Sequence, residues 1–412
     1  MLNFVALSIC LLVLAWEPHH QAQASRIGFK DKKTILGGEI STDHGLCASS
    51  VVVHGYECHE HEVTTEDGYI LSLQRIPEGR AKTGGNVTKK EPVIVQHGIL
   101  VDGMSWFLNS PEQNLPMVLA DNGFDVWITN TRGTRFSRRH TSLDPSSQAY
   151  WQWSWDELVT YELPAIFDYV SNQTGQKINY VGHSLGTLVP LAAFSEAKLV
   201  NQLKSAALLS PIAYLSHMTT LVGVVAASSF VGEALNLMGN AEFDPRGSLA
   251  DEFLGNVCAQ PGVDCSNLFT ALSGDNCCIS SSAADVFLRD ALQPTSTMTL
   301  VHLSQTVRTG VLSKYDYESL SRNLQHYGRF FPPKYNLPNI PHDLPLFMSY
   351  GGLDALSDVT DIANLLNDLK YHNKDRLNVQ YIKEYAHSDF IMGGNANDRV
   401  YKAMIAFLKR QF

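Results

Sequence analysis

Residues 179–189 read Asn-Tyr-Val-Gly-His-Ser-Leu-Gly-Thr-Leu-Val and contain the spacing Gly-x-Ser-x-Gly at Gly182, Ser184 and Gly186. Apolar residues lead into the first glycine, and a helical pattern begins after the second. A serine so placed lies on a tight strand-to-helix turn, where small neighbours let strand and helix approach closely. A purely structural turn is the alternative, and the flanking strand and helix disfavour it. The stretch predicts a nucleophile at Ser184 within an α/β fold.

Short apolar segments recur on both sides of this turn. They are bounded by polar residues or glycine, as expected for strands of a parallel sheet that is covered on both faces. The predicted strands are 68–77, 92–96, 125–129, 178–182, 205–210, 346–350 and 379–382. Helical spacing occurs at 157–171, 187–199 and 358–369. Alternating strands and helices predict a doubly wound α/β fold, with a mostly parallel central sheet flanked by helices.

The alternation stops between residues 211 and 344, an interval with four cysteines and a long apolar stretch from Met218 to Met238. We interpret it as a mainly helical cap or lid insertion, which divides the core into residues 25–210 and 345–412. The apolar stretch favours a buried helix, with a mobile lid as the alternative. Its glycines and serines argue against a membrane span.

An acyl-transfer site also needs an acid and a base, which follow the serine in this fold class. Asp354 comes directly after the strand at 346–350, whereas Asp358 is placed to cap the next helix. His387 follows the last strand, and an imidazole can accept and return a proton near neutral pH. We predict Ser184, Asp354 and His387 as the catalytic triad, with Asp358 as the alternative acid.

Backbone N–H groups must stabilise the oxyanion that forms during acyl transfer. One is expected directly after the nucleophile, at Leu185, and the other in the loop after the first core strand. That loop reads Gln96-His97-Gly98-Ile99-Leu100, so we predict Ile99 as the second donor, with Leu100 as the alternative. His97 precedes the nucleophile in the chain and is expected to have a structural role.

The N-terminus has the layout of a signal peptide. Residues 4–16 are almost entirely apolar, and Ala-Gln-Ala at 22–24 is a small-x-small cleavage pattern, so residues 1–24 are the predicted signal peptide. A buried or anchoring helix is the alternative. Sequons at Asn86 and Asn172 are predicted glycosylation sites. These features predict a secreted protein, or one in a lumenal compartment such as a vacuole or lysosome.

Six cysteines remain after cleavage, an even number that is typical of disulfides in an exported chain. Their short separation favours a bond between Cys258 and Cys265, and Cys47 with Cys58 is a second local pair. A bond between the adjacent Cys277 and Cys278 is not expected, because it requires strain. The complete pairing stays open.

Composition and motifs give no indication of a cofactor. The formal net charge is -10 and the basic residues are not clustered, so no nucleic-acid partner is predicted. His54, His59 and His61 lie near Cys58 and Glu60, but a strand with a solvated face explains them better than a metal site. The sequence has no phosphate-binding loop and no dinucleotide fingerprint. We therefore predict neither a metal nor a cofactor.

Several further segments, taken together with the Ser184 turn, form a combination that is far more specific than any single motif. They are 96–98, 123–127, 130–133, 155–158, 161–164, 351–354 and 387–390. With them, the chain resembles the acid lipase family of gastric, lysosomal and plant triacylglycerol-lipase-like enzymes, from about Asp43 to near the C-terminus. The resemblance implies an α/β-hydrolase fold with a cap, the triad and oxyanion amides named above, and neutral lipid esters at a lipid–water interface as substrates. Leu185 departs from the animal members, which usually have Gln at that position.

The expected function is that of a serine lipase or esterase that acts through an acyl-enzyme on Ser184. A carboxylesterase or acyltransferase that acts on smaller esters is one alternative. A lipid-binding protein with a hydrolase fold and no turnover is the other. The sequence leaves open the ester, the oligomeric state and the motion of the insertion.

Overall fold

A computed structural model describes residues 45–81, 89–248, 250–251, 255 and 268–411. The predicted signal peptide, the sequon at Asn86 and the predicted disulfide between Cys258 and Cys265 lie outside these residues. Asn172, the other predicted glycosylation site, lies on an exposed position of a helix.

Among the described residues, nine strands form one sheet and two form a small second sheet. The strands are β1 His59–Thr64, β2 Tyr69–Ile76, β3 Glu91–Gln96, β4 Phe124–Thr129, β5 Arg139–His140, β6 Ile178–His183, β7 Leu203–Leu209, β8 Glu242–Phe243, β9 Thr295–Ser296, β10 Leu346–Gly351 and β11 Leu377–Ile382. The large sheet has the order β1-β2-β4-β3-β6-β7-β10-β11, with β5 beside β2. From β4 to β11 neighbouring strands are parallel, while β1, β2 and β5 pair antiparallel at one edge. The predicted mostly parallel sheet is therefore confirmed.

The continuous apolar runs of the central strands follow from burial on both faces. In β3, Val93 and Val95 belong to one hydrophobic cluster, whereas Ile94 between them belongs to the other. In β6, Tyr180 and Val181 divide in the same way. Because successive side chains of a strand point to opposite faces, a strand between two helical layers must be apolar at almost every position.

Helices cover both faces of the sheet. The α-helices of the described residues are α1 Leu115–Asp121, α2 Trp155–Glu157, α3 Leu163–Thr174, α4 Leu185–Ser195, α5 Leu221–Ser228, α6 Val231–Leu237, α7 Leu268–Ser273, α8 Ser281–Val286, α9 Thr297–Thr309, α10 Leu320–Tyr327, α11 Val359–Asp368, α12 Asp389–Met392 and α13 Lys402–Lys409. Residues of α3, α4 and α11 share a cluster with Ile94, and residues of α1, α12 and α13 share the other with Val93.

The helix predicted at 157–171 differs in detail. The structure has the short α2, a wide turn over Leu158–Glu162 and then α3. Pro164 lies in the first turn of α3, where the N–H that proline lacks has no partner within the helix. A capping box at Ser154 starts α2.

The apolar stretch from Met218 to Met238 forms α5 and α6, separated at Phe230, whose φ is 54°. Leu237 is 88% exposed and Met238 is 68% exposed. The interpretation as one buried helix is therefore wrong, because this stretch is broken and much of its second half faces solvent. Searched over the described part of the chain, no helix is long and apolar enough to cross a membrane.

Candidate active site

Ser184 lies between β6 and α4 with φ 56° and ψ -121°, a conformation that only a closely packed turn makes favourable. The turn closes on itself: a Cβ on Gly182 would lie 1.9 Å from the carbonyl oxygen of Gly186. The Ser184 N–H donates to the Leu209 carbonyl (3.2 Å), which ties the turn to β7. The two glycines of the motif are thus required by close backbone approach, as the sequence indicated.

The loop after β3 faces this serine. A Cβ on Gly98 would lie 3.0 Å from Cβ and 3.4 Å from Oγ of Ser184. Ile99 follows Gly98 directly, and Leu185 is the first residue of α4, where the backbone N–H has no partner within the helix. A small cavity is bordered by Gly98, Ile99 and Leu185. The two predicted oxyanion donors therefore border one space next to Ser184.

Asp354 and His387 form a buried pair. Nδ1 of His387 lies 3.0 Å from both carboxylate oxygens of Asp354. Oδ1 of Asp354 also accepts the N–H groups of Leu356 (2.9 Å) and Ser357 (2.7 Å). Burial opposes ionisation, but attraction to His387 and these hydrogen bonds outweigh it, so the pKa of Asp354 lies below its ordinary value of 3.8. The carboxylate is therefore charged and can orient the imidazole.

Nε2 of His387 is buried and has no hydrogen-bond partner within the described residues. No hydrogen bond therefore joins Ser184 Oγ to that nitrogen here. Such bonds are often long without substrate and shorten in the reacting complex. Asp358, the alternative acid, instead accepts the Thr360 N–H (2.7 Å) and caps α11.

Two further histidines support the site through its backbone. His97 has Nδ1 at 2.7 Å from the Gly98 carbonyl, and its Nε2 accepts the Thr131 N–H (3.0 Å). Nε2 of His183 lies 2.9 Å from the carbonyl oxygen of His387. Burial, with repulsion from His387, lowers the pKa of His183 to about 3, so this ring is neutral and donates to that carbonyl. Sequence reasoning missed His183, although its place inside the motif was a usable signal.

The segment Ser273–Cys278, called the clamp below, comes from the predicted insertion and contacts both members of the pair. The Ser273 carbonyl accepts the His387 N–H (3.1 Å), and Gly274 forms an antiparallel bridge with Asp354. Oδ1 of Asn276 accepts the Ser388 N–H (3.2 Å). Nothing in the strand and helix pattern indicated that this segment reaches the site.

The described cysteines form two disulfides. Cys47 bonds Cys58, as the sequence suggested. Cys277 bonds Cys278, so the expectation that these neighbours do not pair is wrong. Ligand atoms of Cys277, Cys278 and Asp389 lie within 4.8 Å of one another. However, a disulfide offers no thiolate, and the Asp389 carboxylate accepts backbone N–H groups instead.

The chain matches two family models and a close relative. Residues 91–380 match the model described as alpha/beta hydrolase fold, and residues 47–110 match the partial alpha/beta-hydrolase lipase region. The chain is 57% identical over 368 residues to Triacylglycerol lipase 2 of Arabidopsis thaliana, across 89% of this chain and 88% of that protein. The chain belongs to the acid lipase family.

Other acid lipases and more distant structures agree. The chain is 36% identical over 365 residues to gastric triacylglycerol lipase of Homo sapiens, across 86% of this chain and 88% of that one. A solved carboxyl esterase from Bacillus coagulans in complex with glycerol overlaps with a TM-score of 0.55 at 12% identity, across 86% of this chain and 98% of that one, a likeness of fold alone. The predicted α/β-hydrolase fold is confirmed, and this acid lipase family member is a carboxylic ester hydrolase.

Proposed function

We propose that the chain is an exported lipase that hydrolyses neutral, triacylglycerol-like lipid esters through an acyl-enzyme on Ser184. In this proposal His387 is the general base and acid, Asp354 orients it, and the N–H groups of Ile99 and Leu185 bind the oxyanion. The observation that supports it best is the buried Asp354–His387 pair beside a serine in a strained turn that faces the Gly98 loop.

In the acylation half-reaction, Nε2 of His387 takes the proton of Ser184 Oγ as the oxygen attacks the ester carbonyl. The Ile99 and Leu185 N–H groups stabilise the tetrahedral oxyanion. When it collapses, the bond to the alcohol breaks and His387 gives that alcohol the proton. The Asp354 carboxylate stabilises the imidazolium that exists between these two transfers.

In the deacylation half-reaction, His387 takes a proton from water, and the hydroxide attacks the acyl-enzyme carbonyl. Collapse releases the fatty acid and returns the proton to Ser184, so ester and water give alcohol and acid. Because His183 is neutral, no second positive charge next to His387 opposes its protonation.

Lipid substrates are supported by relatives and by the surface. The relatives named above are triacylglycerol lipases. The insertion exposes large apolar side chains at Phe230, Leu237 and Met238. Exposed apolar groups of this kind favour contact with a lipid–water interface. We therefore include such an interface in the proposal.

Export is supported by the described disulfides. Bonds such as Cys47–Cys58 persist in oxidising compartments and are rare in the cytosol. Sequencing the N-terminus of the mature protein tests the predicted cleavage after Ala24, and a mature chain that begins at Met1 would contradict it. Mass analysis of a peptide containing Asn172 tests glycosylation there.

The decisive experiment compares the wild type with Ser184→Ala on esters of increasing chain length, up to emulsified triacylglycerol. We expect the variant to lose at least ~10⁴-fold in kcat/KM, because the nucleophile is removed while the fold is kept. Ser142→Ala, an exposed serine away from the site, is the matched control and should retain full activity.

The outcomes separate the alternatives. If Ser184→Ala hydrolyses the esters as fast as the wild type, the assignment of Ser184 as the nucleophile is refuted. Activity confined to short, soluble esters would refute the proposed lipase activity and favour a carboxylesterase. Transfer of the acyl group to an added alcohol in preference to water would favour an acyltransferase, and a wild type without turnover would favour a lipid-binding protein.

A further inference from the structure

The turn Ala386–Asp389, here called the base turn, contains His387. Most of the hydrogen bonds that hold it come from segments distant in the sequence. The clamp supplies the Ser273 carbonyl and the Asn276 side chain as acceptors for two of its N–H groups. His183 donates to the His387 carbonyl from the opposite side. The orientation of His387 therefore depends on where the clamp lies.

Asp389 joins the clamp to the base turn. Its side chain is fully buried, and its carboxylate accepts the N–H groups of Ala386 (2.8 Å), Cys277 (3.2 Å) and Cys278 (3.0 Å). No ion pair involves Asp389 within the described part of the chain. A buried carboxylate without a cation is costly unless hydrogen bonds to the charged form offset the lost hydration. The three N–H groups are thus essential partners of this carboxylate.

These hydrogen bonds oppose the effect of burial on the pKa of Asp389. Burial raises the pKa of Asp389 above its ordinary value, with the nearby Asp354 acting in the same direction, while the three N–H groups lower it. Loss of the two clamp donors would therefore favour the protonated carboxyl. A protonated Asp389 accepts hydrogen bonds less well and holds the base turn less firmly.

The Cys277–Cys278 disulfide acts on the same two donors. The bond closes a small ring that includes the peptide linking the cysteines, so it restricts the backbone whose N–H groups point at Asp389. The Cys278 carbonyl in turn accepts the Gly394 N–H (2.8 Å), just after α12. Cys277 is exposed, so a reductant can reach the bond.

We propose that Asp389 and the Cys277–Cys278 disulfide position His387, and that a dithiol reductant lowers turnover by opening this disulfide. The inference rests on the proposed role of His387 as the base. In the redox step the S–S bond takes two electrons and two protons to give two thiols, while the dithiol becomes a cyclic disulfide. The freed backbone no longer directs both N–H groups at Asp389, and the base turn loosens.

The first test is treatment of the folded wild type with dithiothreitol, with alkylation and mass analysis to show which cysteines are free. Hydrolysis of a soluble ester should show kcat lowered about tenfold with KM nearly unchanged, because a displaced base impairs chemistry more than binding. Reoxidation with oxidised glutathione should restore kcat. Full activity with Cys277 and Cys278 shown to be free would overturn the inference.

Matched variants assign the effect. Cys277→Ser/Cys278→Ser should have a kcat as low as that of the reduced wild type and should not respond to reductant. Cys47→Ser/Cys58→Ser should still lose activity on reduction, because this variant keeps the Cys277–Cys278 disulfide. An equal response of the Cys277→Ser/Cys278→Ser variant to reductant would place the effect at another disulfide and overturn the inference.

Asp389→Asn tests the carboxylate separately. One oxygen becomes a donor, which faces a backbone N–H that needs an acceptor. We expect kcat to fall about tenfold or more and the pH profile of kcat/KM to shift, since that profile reports the free base. Asp389→Glu, which keeps the charge, should recover part of the loss. A lowered melting temperature with an unchanged kcat and pH profile would show a merely structural role and refute the proposal.

Labelling with a fluorophosphonate separates this inference from the proposed function. The reagent attacks an activated serine, so its rate at Ser184 reports the base directly. Labelling at Ser184 that is slowed by reduction supports both proposals. Labelling at Ser184 that reduction leaves unchanged overturns only the positioning role, whereas no labelling of Ser184 in the wild type overturns the proposed function.

Discussion

The turn that contains Ser184 and the base turn that contains His387 are held in different ways. Gly182 and Gly186 of the first turn lie against each other, and the adjacent strand β7 supplies the acceptor for the Ser184 N–H. The base turn receives hydrogen bonds from the clamp, 112 residues away in the sequence, and from His183, 204 residues away. One turn is closed by its neighbours, and the other by distant segments.

This difference separates folding from positioning. A change inside the Ser184 turn alters the junction of β6 and α4, which belongs to the core of the sheet. A change in the clamp alters a segment outside the parallel strands and reaches the site through its hydrogen bonds to the base turn and its bridge to Asp354. We therefore expect the first kind to affect stability most and the second kind to affect kcat most.

Gly182→Ala should have the largest effect. The added Cβ would lie 1.9 Å from the Gly186 carbonyl oxygen, a clash between backbone segments that no rotamer relieves. Overpacking of this kind costs about 3 kcal/mol of unfolding free energy, and chemical denaturation with an activity assay measures it. The control is Gly123→Ala, with φ +92° and open space around the new Cβ, which should cost about 1 kcal/mol. Similar losses of unfolding free energy in both variants would contradict the inference that Gly182 and Gly186 must approach closely.

Gly274→Ala should have an intermediate effect, mainly on catalysis. Gly274 has φ +94°, and an added Cβ would lie 2.1 Å from the Leu353 carbonyl oxygen, so the clamp must move away from Asp354. A displacement near 1 Å at a catalytic group can lower kcat by about 100-fold, and steady-state kinetics on a soluble ester measures it. Gly328→Ala, also at positive φ but with open space, serves as control and should keep kcat. An unchanged kcat in Gly274→Ala would mean that the clamp does not position the site.

Asp156→Asn should have the smallest effect on catalysis and a pH-dependent effect on stability. Asp156 accepts the Tyr335 hydroxyl (2.6 Å) and the Tyr315 N–H (2.8 Å), and burial raises its pKa from 3.8 to about 6. Because the folded pKa is the higher one, this group favours folding below pH ~4, and that contribution is lost as pH rises through ~6.

The neutral Asn has no such dependence. Relative to the wild type, Asp156→Asn should therefore gain about 2 kcal/mol of unfolding free energy between pH 4 and pH 7, while kcat stays the same. Urea unfolding at both pH values measures the change. A difference between variant and wild type that is independent of pH would contradict the raised pKa.

Much of the fold was predictable from local pattern. The strands around Ser184 are apolar at nearly every position because helices cover both faces, and that burial leaves a trace in the sequence. The first and last residues of each predicted central strand lie within two residues of those of an observed strand. The stretch from Met218 to Met238 misled the prediction, because an apolar composition does not distinguish a buried helix from one that is partly exposed.

The candidate site also has a part that the sequence predicted and a part that it did not. The order of Ser184, Asp354 and His387, each after a parallel strand, was visible in the sequence, and parallel strands end at one edge of the sheet. The pairing of Cys277 with Cys278 was judged unfavourable from adjacency alone, whereas the structure bonds them. Their contact with Asp389 was not visible at all.

The sequence by itself determined the sheet, the turn that contains Ser184 and the placement of Asp354 and His387 after their strands. Those features depend on residues a few positions apart, whose spacing and size limit the local backbone. Only the tertiary structure decided that the clamp lies on the base turn, that His183 donates to His387, and that Asp389 accepts N–H groups from both cysteines. Each of these hydrogen bonds has a backbone group on at least one side, and nearly every residue carries such groups, so the choice of distant partner leaves no residue pattern to detect.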